Sequence, residues 1–276
     1  MPVARNGTVK IHWESTGQGP AVLLIAGQGM TIDGWWATIP VLAHSFRVIA
    51  FDHRDTGRSS HVPWAYSVAQ MVEDAVAVLD AAGEPRAHVY GLSLGGLVGQ
   101  ELALRHPDRL RALVLGATSA AGLTAAPPAA LPMTFFARAG AMGPEEVEWA
   151  AVPYTYSETT RRLHPDRIAA NIAQRVGSPT DGLASLHQAA ALAAHSTYER
   201  LGQITAPTLV VHGEKDLMVP PANARQLARR IPGARLRLWP EAGHLYIIDE
   251  PRADREIARF LVDHSAVSLA PQLTAA

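Results

Sequence analysis

The hexapeptide Gly91-Leu92-Ser93-Leu94-Gly95-Gly96 follows the apolar run Ala87-His88-Val89-Tyr90 and precedes a helical pattern. A strand that passes into a helix through so few residues must turn sharply, and the residue at the apex pushes its side chain out of the fold. Gly91 and Gly95 lie two residues either side of Ser93, where a larger side chain would collide with the adjoining strand or helix as the turn closes. The Ser93 hydroxyl also falls at a helix N-terminus, whose unpaired N–H groups favour developing negative charge. A Gly-rich turn of this kind can also simply hold phosphate, so its meaning depends on partners elsewhere in the chain.

Around this turn the chain alternates short apolar runs with helical patterns. Residues 9–13, 21–26, 47–51, 87–90 and 113–115 read as strands, four of them continuous apolar runs of the fully buried type. Between them, Val68, Met71, Val72, Ala75, Val76 and Leu79 mark one face of a helix over 67–82, opened by a Ser67/Gln70 capping box. From 119 to about 201 the strand runs vanish and alanine, proline and scattered aromatics take over, with helical stretches at 168–176 and 183–194. The alternation resumes with a strand at 207–212, a helix at 222–230, a strand at 234–239 and a helix at 253–263. This pattern predicts an α/β fold with a mostly parallel central sheet flanked by helices. Residues 1–118 and 202–264 would form its two parts, 119–201 a helical lid, and 265–276 a disordered tail.

Bulk composition narrows the function classes. Of 276 residues 48% are apolar, enough for a sizeable core, and the net charge of −1 gives no footprint for nucleic acid. With no cysteine there is no disulfide scaffold, thiolate metal site or cysteine nucleophile. The polar first ten residues lack the apolar stretch of a signal peptide, and no segment approaches the roughly 18 apolar residues that span a bilayer. A cytoplasmic protein with no membrane partner is the expectation. No metal motif such as H-E-x-x-H occurs, and Gly27-x-Gly29 has Ile32 at the third glycine position of a dinucleotide fingerprint, so no cofactor is expected.

A serine hydroxyl is a poor nucleophile at neutral pH and needs a base within hydrogen-bond reach, itself oriented by a third group. The loops after later strands are where such partners belong. One of them reads His212-Gly213-Glu214-Lys215-Asp216, the other Glu241-Ala242-Gly243-His244. The chain order Ser, Asp, His fits a strand–turn–helix nucleophile. Ser93 is therefore the candidate nucleophile, His244 the base and Asp216 the orienting acid, with Glu214 and Asp249 as competing carboxylates. The loop after strand 113–115 holds Gly116-Ala117-Thr118 and no carboxylate, which favours Asp216. Candidate donors for an oxyanion are the backbone N–H groups of Leu94 and of Gln28, in the loop after the 21–26 strand.

With these residues in place the chain resembles the α/β-hydrolase family along essentially its whole length. The resemblance rests on Gly27-Gln28-Gly29, Phe51-Asp52-His53-Arg54-Asp55-Thr56-Gly57-Arg58-Ser59, residues 91–96, residues 212–220 and Gly243-His244. The 52–59 stretch is similar to that of aclacinomycin-methylesterase-type members, and 91–100 to that of 3-oxoadipate enol-lactonases. Family members usually carry His-Gly where this chain has Ala26-Gly27. The resemblance implies that 52–59 is chiefly a structural turn, with Arg54, Asp55 and Arg58 in ion pairs. Serine at the apex argues against the dehalogenase and epoxide-hydrolase branches, which place aspartate there.

The expectation is a cofactor-independent serine hydrolase cleaving a carboxylic ester, methyl ester or lactone through an acyl-enzyme. An enol-lactonase or carbon–carbon bond hydrolase would share the same residues, and some proteins of this fold act mainly as small-molecule receptors. A peroxide-dependent activity of the fold is a third class. Trp35, Phe135, Phe136, Trp149 and Tyr154 are candidates for an apolar substrate pocket, against the alternative of ordinary packing. His187 and His195 read as structural histidines.

Overall fold

The structure is a computed structural model that describes residues 2–128, 130–139, 141–177, 180 and 182–265. The expected tail beyond Ser265 lies outside the described residues. Eight strands form one sheet: β1 (Val3–Asn6), β2 (Val9–Thr16), β3 (Ala21–Ile25), β4 (Arg47–Phe51), β5 (Ala87–Leu92), β6 (Leu110–Gly116), β7 (Thr208–Gly213) and β8 (Arg235–Trp239). Their order across the sheet is β1-β2-β4-β3-β5-β6-β7-β8. β2 runs antiparallel to both β1 and β4, and every later pairing is parallel.

The helices of the first half are α1 (Thr38–Leu42), α2 (Val68–Ala81) and α3 (Leu94–Arg105). Between β6 and β7 come α4 (Ala130–Ala139), α5 (Pro144–Thr155), α6 (Glu158–Leu163), α7 (Pro165–Val176) and α8 (Gly182–Ala193). After β7 follow α9 (Ala222–Arg230), α10 (Tyr246–Asp249) and α11 (Ala253–Asp263).

Parallel strands need covered faces, and their side chains alternate between two apolar clusters. Leu23, Ile25, Val89, Leu113 and Leu115 face α2, α3 and α9, whereas Val22, Leu24, Tyr90, Val114 and Val211 face α1 and α11. α2 begins where its sequence says it should. Gln70 N–H donates to Ser67 Oγ at 3.3 Å, and Ser67 N–H donates to the Gln70 side chain at 3.0 Å.

The turn after β4 is held by its own charges. Arg54 donates two hydrogen bonds to the buried Asp74 at 2.6 and 2.7 Å. Asp52 accepts from the Ile32 and Arg58 N–H groups at 2.8 and 3.0 Å, and Arg58 also pairs with Glu14 at 2.7 Å. Among the described residues, no helix is long and apolar enough to cross a membrane.

Candidate active site

The parallel order brings the C-terminal ends of β3, β5, β6, β7 and β8 to one edge, and the candidate residues follow those ends. Ser93, between β5 and α3, has φ +55° and ψ −117°, a backbone conformation few residues other than glycine adopt. The surrounding backbone enforces it. Ser93 N–H donates to Gly116 C=O at 2.8 Å, and Thr118 Oγ1 donates to Ser93 C=O at 2.7 Å. A Cβ at Gly91 would run into the Gly95 carbonyl oxygen, and one at Gly95 into that of Ile25. The two glycines flanking Ser93 are thus needed for contact between turn, helix and neighbouring strand.

Three side chains from three loops converge. His244 Nε2 lies 3.2 Å from Ser93 Oγ, and His244 Nδ1 lies 2.9 Å from Asp216 Oδ2. A ring nitrogen facing a carboxylate carries the proton, which leaves Nε2 as the acceptor toward the serine. Asp216 and His244 are 3% and 8% exposed, so their interaction is shielded from bulk water while the site remains reachable through the half-buried Ser93.

Asp216 is supplied with donors on both oxygens. Oδ1 accepts from the N–H groups of Met218 and Val219 at 2.9 and 2.8 Å, and Oδ2 also lies 3.0 Å from His212 Nε2. Burial pushes this carboxyl up, but the His244 charge and the hydrogen bonds from His212 and His244 prevail and hold it down to about 2. It is therefore ionised around neutral pH.

The competing carboxylates are engaged elsewhere. Glu214 pairs with Arg225 at 2.9 Å. Asp249 Oδ2 accepts from Gly243 N–H at 2.7 Å and Ser157 N–H at 3.0 Å. Leu245 N–H donates to Thr155 C=O at 2.9 Å, so the peptides on both sides of His244 are tied down.

Leu94 opens α3, and its N–H is one of the first four that find no carbonyl within the helix. Gln28 lies in the turn that follows β3, where Met30 N–H donates to Gly27 C=O at 3.2 Å. A Cβ on Gly27 would come within 3.4 Å of Ser93 Cβ, so this loop lies directly beside the serine.

The aromatic candidates separate. Trp35 is fully buried, its ring edge-on to Tyr90 at 5.1 Å in the sheet core, and it offers no surface to a pocket in this structure. Its neighbour Trp36 is partly exposed, and its indole N–H donates to Asn171 of α7 at 2.9 Å. Phe135 and Tyr154 lie together, ring centroids 5.5 Å apart, joining α4 to α5. Trp149 is 48% exposed, with its indole N–H 3.4 Å from Glu145 one turn back on α5. The side chain of Phe136 lies outside the described residues. His187 and His195 pair with Asp55 and Glu101 at 3.0 and 3.1 Å.

Two contacts had no signal in the sequence. His212 lies within β7, one residue before its end, rather than in the acid loop, and nothing in its spacing announces the approach to Asp216. Gln188 of α8, whose Oε1 accepts from Gly29 N–H at 2.8 Å, is a lone glutamine in an alanine-rich helix.

Comparison with known proteins gives the family. The family model for the alpha/beta hydrolase fold matches residues 20–251. The chain belongs to the α/β-hydrolase family. Among curated relatives, a protein of Variovorax paradoxus named "Putative carbamate hydrolase RutD" is 35% identical over 93% of this chain and 97% of its own length. Among solved structures, the enol-lactonase of Burkholderia xenovorans LB400 superposes with a TM-score of 0.82 at 27% identity, covering 95% of this chain and 100% of that one. A thermophilic esterase of Thermogutta terrifontis gives a TM-score of 0.81 at 27% identity, covering 95% and 97%. All three carry the names of hydrolases.

Proposed function

We propose that this α/β-hydrolase is a cofactor-independent serine hydrolase of small carboxylic esters or lactones. The observation that carries the reading is the unbroken line Ser93 Oγ, His244 Nε2, His244 Nδ1, Asp216 Oδ2, with gaps of 3.2 and 2.9 Å. As Ser93 Oγ attacks the substrate carbonyl carbon, its proton passes to His244 Nε2. The N–H groups of Leu94 and Gln28 receive the negative charge that forms on the carbonyl oxygen. Collapse expels the alkoxide, which takes the proton from His244 and leaves the acyl group on Ser93. Water then gives a proton to His244 and attacks the acyl carbon, and the return of that proton to Ser93 releases the acid.

Carbamates are the second reading, favoured by the 35% identity to a relative named for that activity. The same steps would then place a carbamoyl group on Ser93. A panel of p-nitrophenyl esters, lactones and carbamates separates the two. Turnover of esters or lactones with carbamates inert is the expected outcome, and carbamate turnover alone would replace the ester reading. Tight binding of these compounds with no turnover of any would instead favour a receptor.

The pH profile follows from the electrostatics. The imidazole must be neutral to accept the serine proton, so activity rises with pH. Asp216, held down to about 2, stays ionised over the same span and adds no second proton to the acid limb. Plotted logarithmically, kcat/KM should climb with unit slope and level off, and a flat profile between about pH 5 and 8 would count against imidazole as the base.

A further inference from the structure

The loop that would supply one oxyanion donor does not hold itself in place. Residues 27–30 close a tight turn with Gly29, its third residue, at φ +67°, the type II geometry. Glycine there leaves the backbone unusually free, so the turn gains a fixed position from restraint outside it. The restraint comes from the helical insertion. Gln188 of α8, fully buried, accepts from Gly29 N–H at 2.8 Å. Thr180 Oγ1 donates to Gly29 C=O at 3.0 Å, and Gln28 Nε2 donates to Ser185 C=O at 3.1 Å. α8 is anchored in turn to the α/β part of the chain, where His187 Nδ1 meets Asp55 Oδ2 at 3.0 Å and its ring packs edge-on against Tyr66.

We infer that Gln188 is a positioning residue for the reaction, fixing the 27–30 turn so that the Gln28 N–H faces the reacting carbonyl. Docking of α8 and assembly of the oxyanion site are then one event. This rests on the hydrolase reading above. A turn that loses the Gln188 acceptor loses one of its three ties to the insertion and shifts from its place beside Ser93, so the fault appears when charge develops on the substrate oxygen rather than when substrate binds.

The test is Gln188→Leu, which keeps the volume and removes the acceptor, assayed on the best ester or lactone of the panel. Removing an oxyanion donor outright typically costs about 10²–10³ in kcat, so a loosened donor should cost about 10- to 100-fold with KM within about twofold. Leu183→Ala, on the 52% exposed part of the same helix, should leave both constants unchanged. Amide exchange in the unaltered protein is an independent readout, with the Gly29 N–H protected although it sits in a loop. A Gln188→Leu enzyme with unchanged kcat, or with a raised KM alone, overturns the inference while leaving the hydrolase reading intact. So does rapid Gly29 exchange. A wild-type chain that neither turns over the panel nor reacts at Ser93 overturns both.

Discussion

Ser93→Ala should lower kcat on the best substrate by about 10⁶, leaving a residue of about 10³–10⁴ over the uncatalysed reaction from binding and the oxyanion donors alone. In free-energy terms that is about 8 kcal/mol of transition-state stabilisation resting on one oxygen atom. The loss is chemical because the substitution changes little else. Serine and alanine pay the same backbone cost at φ +55°, and the turn is fixed by the Gly116, Thr118 and Gly95 contacts, none of which uses the hydroxyl. The melting temperature should therefore stay within a few degrees of wild type, and a variant that also unfolds would leave the hydroxyl's role unmeasured by rate alone. Steady-state kinetics with a parallel thermal melt reads both quantities.

His244→Ala should cost nearly as much, and the double variant Ser93→Ala/His244→Ala no more than either alone, because the hydroxyl and the imidazole act as one unit. Without the imidazole, Ser93 Oγ keeps its proton and is no better a nucleophile than water. Asp216 would keep its contacts with Met218, Val219 and His212, but with nothing to orient. The pH dependence should go with the activity, since the group that accepts the serine proton has been removed. Rates multiplying in the double variant, rather than saturating, would mean that the two residues serve different steps.

Much of this arrangement was legible in the chain because its physical causes are local. The nucleophile turn is announced by small residues that only a close approach of backbones requires, and the capping box at Ser67 sets the start of α2. The last helix, 253–263, has the bounds its apolar spacing at Ile257, Phe260 and Leu261 predicts. The acid and the base follow strands whose apolar runs mark where their loops must lie.

Less legible was whatever depends on distant contact. β1 is four residues long, with Arg5 exposed and Asn6 reaching Asp74, too short and polar to show an alternation. α5 contains Pro153, which reads as a helix breaker until the surrounding helices carry it. Trp35 follows the 27–30 loop and reads equally as a pocket wall or as packing for the first helix, and only the fold shows it buried edge-on against Tyr90. His212 and Gln188 gain their meaning only from neighbours brought in by the fold, Gln188 from a glycine 159 residues away.

The most direct measurement is covalent. Native protein treated with a fluorophosphonate and digested should carry one label, located by mass spectrometry on Ser93, and His244→Ala should take up almost none. A label on any other residue, or ester turnover that survives with Ser93 unmodified, would contradict the account.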